Sequence, residues 1–343
     1  MKFSVYTPDA PYDDGGTVER VIGGDAIDLK VERWRNQAAL DIECMERADG
    51  LLVWHQVSLD AVTIAKLQYC RIIVRAGVGF NNIDVGAAAA RGIPVCNTPD
   101  YGTAEVADHT IALLLALERG LIPFELALRA DPVGQFDHRV FLGGRRLAGQ
   151  TFGIVGLGRI GTATALRAKA FGMRVVIFDP YLPRGQEIAL SVERVDTLDA
   201  LLAKADIVSL HAPLTKETAN IIDATSIAKM KPDVTILNTA RGGMIDLDAL
   251  FDAMKSGHVR AAGIDVLPIE PPPTPMPKLL RAYADREAWL NERLVLTPHA
   301  AWSSVESRDD ARTKSMETML GFLIRGELRN CVNLQELGDK RPK

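Results

Sequence analysis

The strongest constraint in this sequence is a succession of short apolar runs, rich in Val and Ile and free of polar alternation, separated by helical patterns. The runs lie at 50–54 (GLLVW), 71–74 (RIIV), 93–96, 151–155 (TFGIV), 174–178 (RVVIF), 207–210, 235–237 (TIL), 261–266 and 294–296, with a first strand beginning at residue 2 or 3. Segments apolar on both faces suit parallel strands covered on both sides. Amphipathic helical patterns fall between them, at 161–171, 198–204, 226–230 and 246–256. Such alternation predicts doubly wound α/β units.

A chain of 343 residues has room for about two such domains. Two longer helical segments, 103–117 and about 304–324, bracket the middle of the chain, the second ending near Gly326. Read as crossings between two domains, they make 1–98 and 300–343 one discontinuous domain, with 99–299 inserted in it. No tandem repeat is present. The proline-rich patch at 270–277 (EPPPTPMP) forbids regular structure and predicts an extended connection.

Composition narrows the function classes. Hydrophobic residues at 47% and charged residues at 24% exclude a mainly disordered chain. A net charge of −4 leaves no basic excess for a nucleic-acid backbone. The longest strongly apolar run, 111–117, falls far short of the ~20 residues of a membrane span. The N-terminus has no secretory pattern, so a cytoplasmic protein is expected. Cys44, Cys70, Cys96 and Cys331 lie far apart without a C-x-x-C, which predicts reduced structural thiols and no metal site.

The sharpest motif is Gly156-Leu157-Gly158-Arg159-Ile160-Gly161, directly after one apolar run and directly before a helix. In that setting Gly156 makes the tight turn, Gly158 lets backbone approach a pyrophosphate, and Gly161 allows close helix–strand packing. The helix N-terminus adds unpaired N–H groups and a positive dipole end. Asp179 follows the next strand, 18 residues past Gly161. A carboxylate there binds ribose hydroxyls and repels a 2′-phosphate, so NAD is the expected cofactor. The plainer readings are a glycine turn without ligand and an Asp capping a turn before Pro180.

Downstream, the ordered stretches RAGVGFNNID (from Arg75), NTPDYGTAEVADHTIALLLAL, GLGRIG, HAPLT, NTARGGMID, GIDVLPIEP and TPHAAW span nearly the whole chain. On them the chain resembles the D-isomer-specific 2-hydroxyacid dehydrogenases. ALRAKAFGM, FDPYL, NTARGG and HAAW place the resemblance closest to the branch of the C-terminal binding proteins. It implies a Rossmann NAD domain inserted in a flavodoxin-like substrate domain. It also implies a catalytic set: Arg241 binds the acid's carboxylate and polarises its carbonyl, His299 is the general acid, and Glu270 orients His299. The chemistry is consistent with those types: a planar guanidinium fork suits a 2-oxo acid, and a carboxylate fixes an imidazole. Alone, Arg241 reads as a surface ion pair, His299 as structural and Glu270 as a solvated loop residue.

The resemblance further implies that backbone amides of Ala76, Gly77, Val78 and Gly79 hold the carboxylate. It places Thr103, Val78, His211, Thr239, Ala240 and Asp265 around the cofactor, and Trp302 near the substrate's side-chain end. Asp265 has a second reading as a capping carboxylate. His55, His109, His138 and His258 have no motif context and read as structural or exposed. The helix from Thr103, apolar all round at 111–117, predicts a homodimer with Leu114 or Leu117 near its axis.

Departures from the family pattern, Pro268-Ile269 before Glu270, a long 272–292 segment and Trp302, bear on which acid is used. The leading expectation is an NAD-dependent enzyme interconverting small 2-oxo and D-2-hydroxy acids, running as a reductase. The alternative is an NAD(H)-sensing corepressor, against which the absence of a long tail argues. HAAW does not resemble the arrangement of formate enzymes.

Overall fold

Each apolar run lies on a strand of one of two wholly parallel sheets. The computed structural model describes residues 2–34 and 40–338, so the ends of the expected domain ranges and 35–39 lie outside the described residues. The chain divides into two units, Met1–Gly102 with Ser303–Lys343, and Thr103–Trp302. These boundaries fall a few residues beyond the expected 99–299 insertion, and Trp302 joins the second unit with His299.

The first unit is built on β1 (Phe3–Thr7), β2 (Ile27–Val31), β3 (Gly50–Val53), β4 (Ile72–Arg75) and β5 (Val95–Asn97), in the order β2-β1-β3-β4-β5. That is the flavodoxin-like order. β3, β4 and β5 are buried along their whole length, whereas edge strand β2 buries Ile27 and Leu29 and exposes Asp28 and Lys30. The second long helix, Val305–Arg325, starts at a reciprocal capping box between Ser304 and Ser307 and ends at Gly326, φ 69°. Met316 and Met319 are buried on it, and a side chain at Gly50 would run into Met319.

One buried ion cluster ties this helix to the N-terminal segment. Arg312 donates to both oxygens of Glu19 (2.9 and 2.6 Å) and both of Asp14 (2.8 and 3.0 Å), and lies 3.7 Å from the Tyr12 ring centroid. Arg312 holds the Asp14 carboxyl well below its usual range. The Glu19 side chain is fully buried, so Arg312→Ala leaves a carboxylate without its cation. A loss of about 3–5 kcal/mol in unfolding free energy is expected by urea titration. A loss near zero would show that the cluster carries no stability.

The second unit is built on β6 (Thr151–Val155), β7 (Arg174–Phe178), β8 (Glu193–Arg194), β9 (Ile207–Leu210), β10 (Val234–Asn238), β11 (Val259–Ile264) and β12 (Leu294–Leu296). Their order is β12-β11-β10-β9-β6-β7-β8, a Rossmann arrangement whose direction of winding reverses between β6 and β9. The Thr103–Arg119 helix covers one face with Arg159–Ala170, sharing a core of Leu113, Leu114, Leu117, Phe152, Ile154 and Ala165. Leu114 and Leu117 are 0% and 1% exposed within their own unit. They are therefore not available to a symmetry axis, because this unit's sheet and neighbouring helix already cover them. The 270–277 patch carries neither helix nor strand, as expected, and the segment after it is ordered. It forms the Lys278–Ala284 helix, and Leu279, Ala282 and Leu290 enter the core beside Leu250 and Met254.

Candidate active site

Parallel strands bring their C-terminal ends to one edge, and the sequence's chemistry-bearing residues of the second unit follow those ends. The glycine turn follows β6, Asp179 follows β7, and His211 follows β9. Thr239, Ala240 and Arg241 follow β10, Asp265 follows β11, and His299 follows β12. In open α/β sheets this edge, at the reversal point, is where ligands bind.

The glycine turn fits a dinucleotide. Gly156 has φ 92°, and a Cβ there would stand 2.8 Å from Ala212 N. A Cβ on Gly161 would run into the Gly156 carbonyl. One on Gly158 would meet nothing within 4 Å, so that face is open for a ligand to approach. Gly158 caps the Arg159–Ala170 helix without a side-chain cap bond, leaving first-turn N–H groups, including those of Arg159 and Ile160, outside the helical ladder. A cleft of about 630 Å³ is lined by Leu157, Gly158, Arg159, Thr162, Asp179 and Tyr181. Asp179 accepts from Leu157 N (2.9 Å) and Tyr181 N (3.0 Å), which fixes its carboxylate at the cleft. Thr162 and Tyr181 were not singled out in the sequence; their only signal is proximity to the motif and to Asp179.

His299 Nδ1 lies 2.6 Å from Glu270 Oε2, and Glu270 Oε1 accepts from Leu267 N at 2.7 Å. An ionised carboxylate only accepts, so the proton of this bond belongs to Nδ1 and the ring exchanges protons through Nε2. His299 has φ 53°, a left-handed conformation that His adopts more readily than most residues. Asp265 holds the loop in that shape. Its Oδ1 accepts from Thr297 Oγ1 (2.6 Å) and Ala300 N (2.8 Å), its Oδ2 from Ala301 N (3.0 Å), and its carbonyl from His299 N (2.7 Å). The structure thus gives Asp265 a loop-fixing part. His109, which the sequence marks as structural or exposed, joins the same brace through a 2.9 Å bond between Nε2 and Thr297 Oγ1. The Thr297 hydroxyl proton goes to Asp265, so His109 Nε2 is the donor.

Arg241 is placed by backbone. Its Nη1 donates to Ala240 O (2.6 Å), and Asn238 Nδ2 donates to Arg241 O (2.9 Å) while Asn238 Oδ1 accepts from Ala240 N (3.0 Å). A side chain at Gly242 would collide with the Leu267 backbone, which explains the glycine after Arg241. Thr239 is buried and its hydroxyl lies 2.8 Å from that of Thr110. Thr103 opens its helix, half-buried. His211 Nε2 lies 2.8 Å from Ser209 Oγ, while Nδ1 is buried without a hydrogen-bond partner. Burial lowers the His211 pKa to about 3, so the ring is neutral across the physiological range.

In the first unit, two of the four expected carboxylate-binding amides are already engaged. Ala76 N donates to Val53 O and Gly77 N to Arg75 O, each at 2.8 Å. Among the described residues this leaves the amides of Val78 and Gly79 for a ligand. Gly77, φ 148°, has no room for a Cβ beside the Arg75 guanidinium. Asn97 Nδ2 donates to Val78 O (2.7 Å) and Thr98 N to Gly77 O (3.0 Å), holding the loop against the end of β5. Trp302, half-buried, closes the second unit.

Comparison with known proteins bears on what these units are. Residues 111–301, more than half of the chain, match the model of the D-isomer specific 2-hydroxyacid dehydrogenase NAD binding domain. D-3-phosphoglycerate dehydrogenase of Mycobacterium leprae is 39% identical over 311 residues, 91% of this chain. The chain spans just over half, 56%, of that relative's length. A glyoxylate reductase structure from Paecilomyes thermophila superposes with TM-score 0.84 at 29% identity, covering 97% of this chain and 99% of that one. An NADPH-dependent glyoxylate/hydroxypyruvate reductase from Sinorhizobium meliloti, in complex with NADP and malonate, gives 0.83 at 26% identity and full coverage of both. With its glycine turn, its sheet order and this match, the chain belongs to the D-isomer specific 2-hydroxyacid dehydrogenase family.

Proposed function

We propose that this chain interconverts small 2-oxo acids and D-2-hydroxy acids with NAD(H), and that His299 gives the proton in reduction. The observation that carries this reading is the His299–Glu270 pair, on the same sheet edge as the glycine cradle and Arg241. Bound NADH supplies the hydride that the carbonyl carbon receives. His299 protonates the carbonyl oxygen through Nε2, and in oxidation takes that proton back. Glu270 keeps the ring oriented. Arg241 holds the acid's carboxylate and draws charge toward its fork. In the first unit, the Val78 and Gly79 amides are donors that a carboxylate can use; in the second, Trp302 follows the His299 loop. The test is oxidation of NADH against glyoxylate, hydroxypyruvate, pyruvate, phenylpyruvate and a methylthio-oxobutyrate, with D-3-phosphoglycerate in the reverse direction. Turnover with one or more of these is expected; none with any of them would sink the reading. The corepressor alternative draws no support from the relatives, which are named as dehydrogenases and reductases.

NAD rather than NADP is the proposed cofactor, because the Asp179 carboxylate is fixed in the cleft where a 2′-phosphate would meet it. Asp179→Ala should raise the KM for NADH and lower that for NADPH. Equal efficiency with both cofactors in the unsubstituted chain would contradict this assignment. Free thiols and nicotinamide chemistry suit a cytoplasmic enzyme.

We also place a homodimer interface on a different surface from Leu114 and Leu117. The Leu121–Ala130 helix buries none of its residues, and Leu121, Leu126, Val133, Phe136 and Leu142 are all exposed on it or just beyond. So much open apolar surface on one arm suits a second copy of this chain. Light scattering should give about twice 37.3 kDa, and Leu126→Glu should halve it. A mass near 37.3 kDa for the unsubstituted chain would remove the dimer.

A further inference from the structure

Two of the four free cysteines face each other in the first unit. Cys96 lies in the middle of β5, fully buried, and Cys331 lies in the segment after the Val305–Arg325 helix, half-buried. The two residues form an isolated antiparallel bridge. The hydrogen bonds around it run from Asn97 N to Asn330 O (3.1 Å) and from Val332 N to Val95 O (2.8 Å). Both bonds flank the cysteines and neither joins them, so this is a non-hydrogen-bonded pair. In such a pair the Cα atoms stand about 4.5 Å apart and side chains are at their closest. A disulfide spans Cα separations of about 4.4–6.8 Å, so this backbone accepts one without moving.

We propose that Cys96 and Cys331 are a peroxide-sensitive pair that closes into a reversible disulfide. The two thiols differ in readiness. The Cys96 thiol, hydrogen-bonded to Cys331, lowers the Cys331 pKa, whereas that same contact and burial raise Cys96. Cys331 is also the more accessible of the two. Its thiolate attacks one peroxide oxygen, breaks the O–O bond and becomes a sulfenic acid, releasing the other oxygen as water. Cys96 sulfur then attacks the Cys331 sulfur and expels the hydroxyl as a second water. Two thiols and one hydrogen peroxide give one disulfide and two waters, with two electrons passing from sulfur to oxygen. With Cys96 beside it, the sulfenic acid is consumed before further oxidation. Among the described residues Cys70 forms no such bridge with another cysteine.

The cross-link secures a functional strand end. Cys96 immediately precedes Asn97 and Thr98, which hold the Val78 loop, and Asn333 Oδ1 accepts from Val95 N (2.9 Å) on the same strand. Closure therefore fixes the existing register.

The test is hydrogen peroxide added to the full chain, followed by alkylation of remaining thiols under denaturing conditions and peptide mass mapping. The expected result is a Cys96–Cys331 linked peptide, about 2 Da lighter than its two parts, that dithiothreitol separates. The thermal midpoint of the oxidised protein should rise by about 5 °C. Cys331→Ser should abolish both the linked peptide and the rise. If instead Cys96 remains fully alkylatable after peroxide, or Cys331 gains oxygen mass without linkage, the proposal is overturned. The mapping is done on the unsubstituted chain, so it decides even if the variant folds poorly, and it is independent of the enzymatic reading.

Discussion

His299→Asn should lower the rate of 2-oxo acid reduction by about 10²–10⁴-fold while leaving NADH affinity unchanged. Asn is the informative replacement because it tolerates the left-handed backbone, φ 53°, that this position adopts. It keeps a side chain able to hydrogen-bond but has no proton to give. The loop is held by Asp265 and Thr297 through contacts independent of the imidazole, so the fold around it should survive. Fluorescence titration of NADH and steady-state rates together check the prediction. A variant that turned over at nearly the original rate would remove His299 as the acid.

Arg241→Lys should be almost as damaging as Arg241→Ala, with kcat/KM for the acid falling about 10²-fold or more. An ammonium is a point charge, and it cannot reproduce two parallel N–H bonds to a carboxylate in fixed geometry. The backbone around the site is set by Asn238 and by the crossing at Gly242, neither of which depends on the guanidinium, so stability should change little. Unchanged KM and kcat in the Lys variant would take Arg241 out of substrate binding.

What the sequence made legible were features decided locally. The central strands are apolar on both faces, so β6, β7, β9 and β10 are visible as runs. Gly161 is dictated by the Gly156 carbonyl within the same turn, and Gly156 by its positive φ. Edge strands were harder. β2 alternates between buried Ile27 and Leu29 and exposed Asp28 and Lys30, and β8 has two residues, so neither carries an apolar run. Tertiary partners were not legible at all. The apolar 111–117 stretch shows that something covers it, but not that the covering comes from Phe152, Ile154 and Ala165 of the same unit. The Leu121–Ala130 helix is also largely apolar, apart from Glu125 and Arg129, yet buries none of its residues. His109 braces the His299 loop through Thr297, 188 positions away, a contact that no motif records. The loop at 76–79 shows its two glycines, but not that Val53 and Arg75 carbonyls already take two of its amides.

The proposed reaction of this chain is hydride transfer between a nicotinamide and C2 of a D-2-hydroxy acid. It is tested most directly by supplying NADH deuterated at the transferring C4 position, with the best acid of the panel, and analysing the product. The expected product is the D-hydroxy acid with one deuterium at C2. A product without deuterium at C2, or of L configuration, would contradict it.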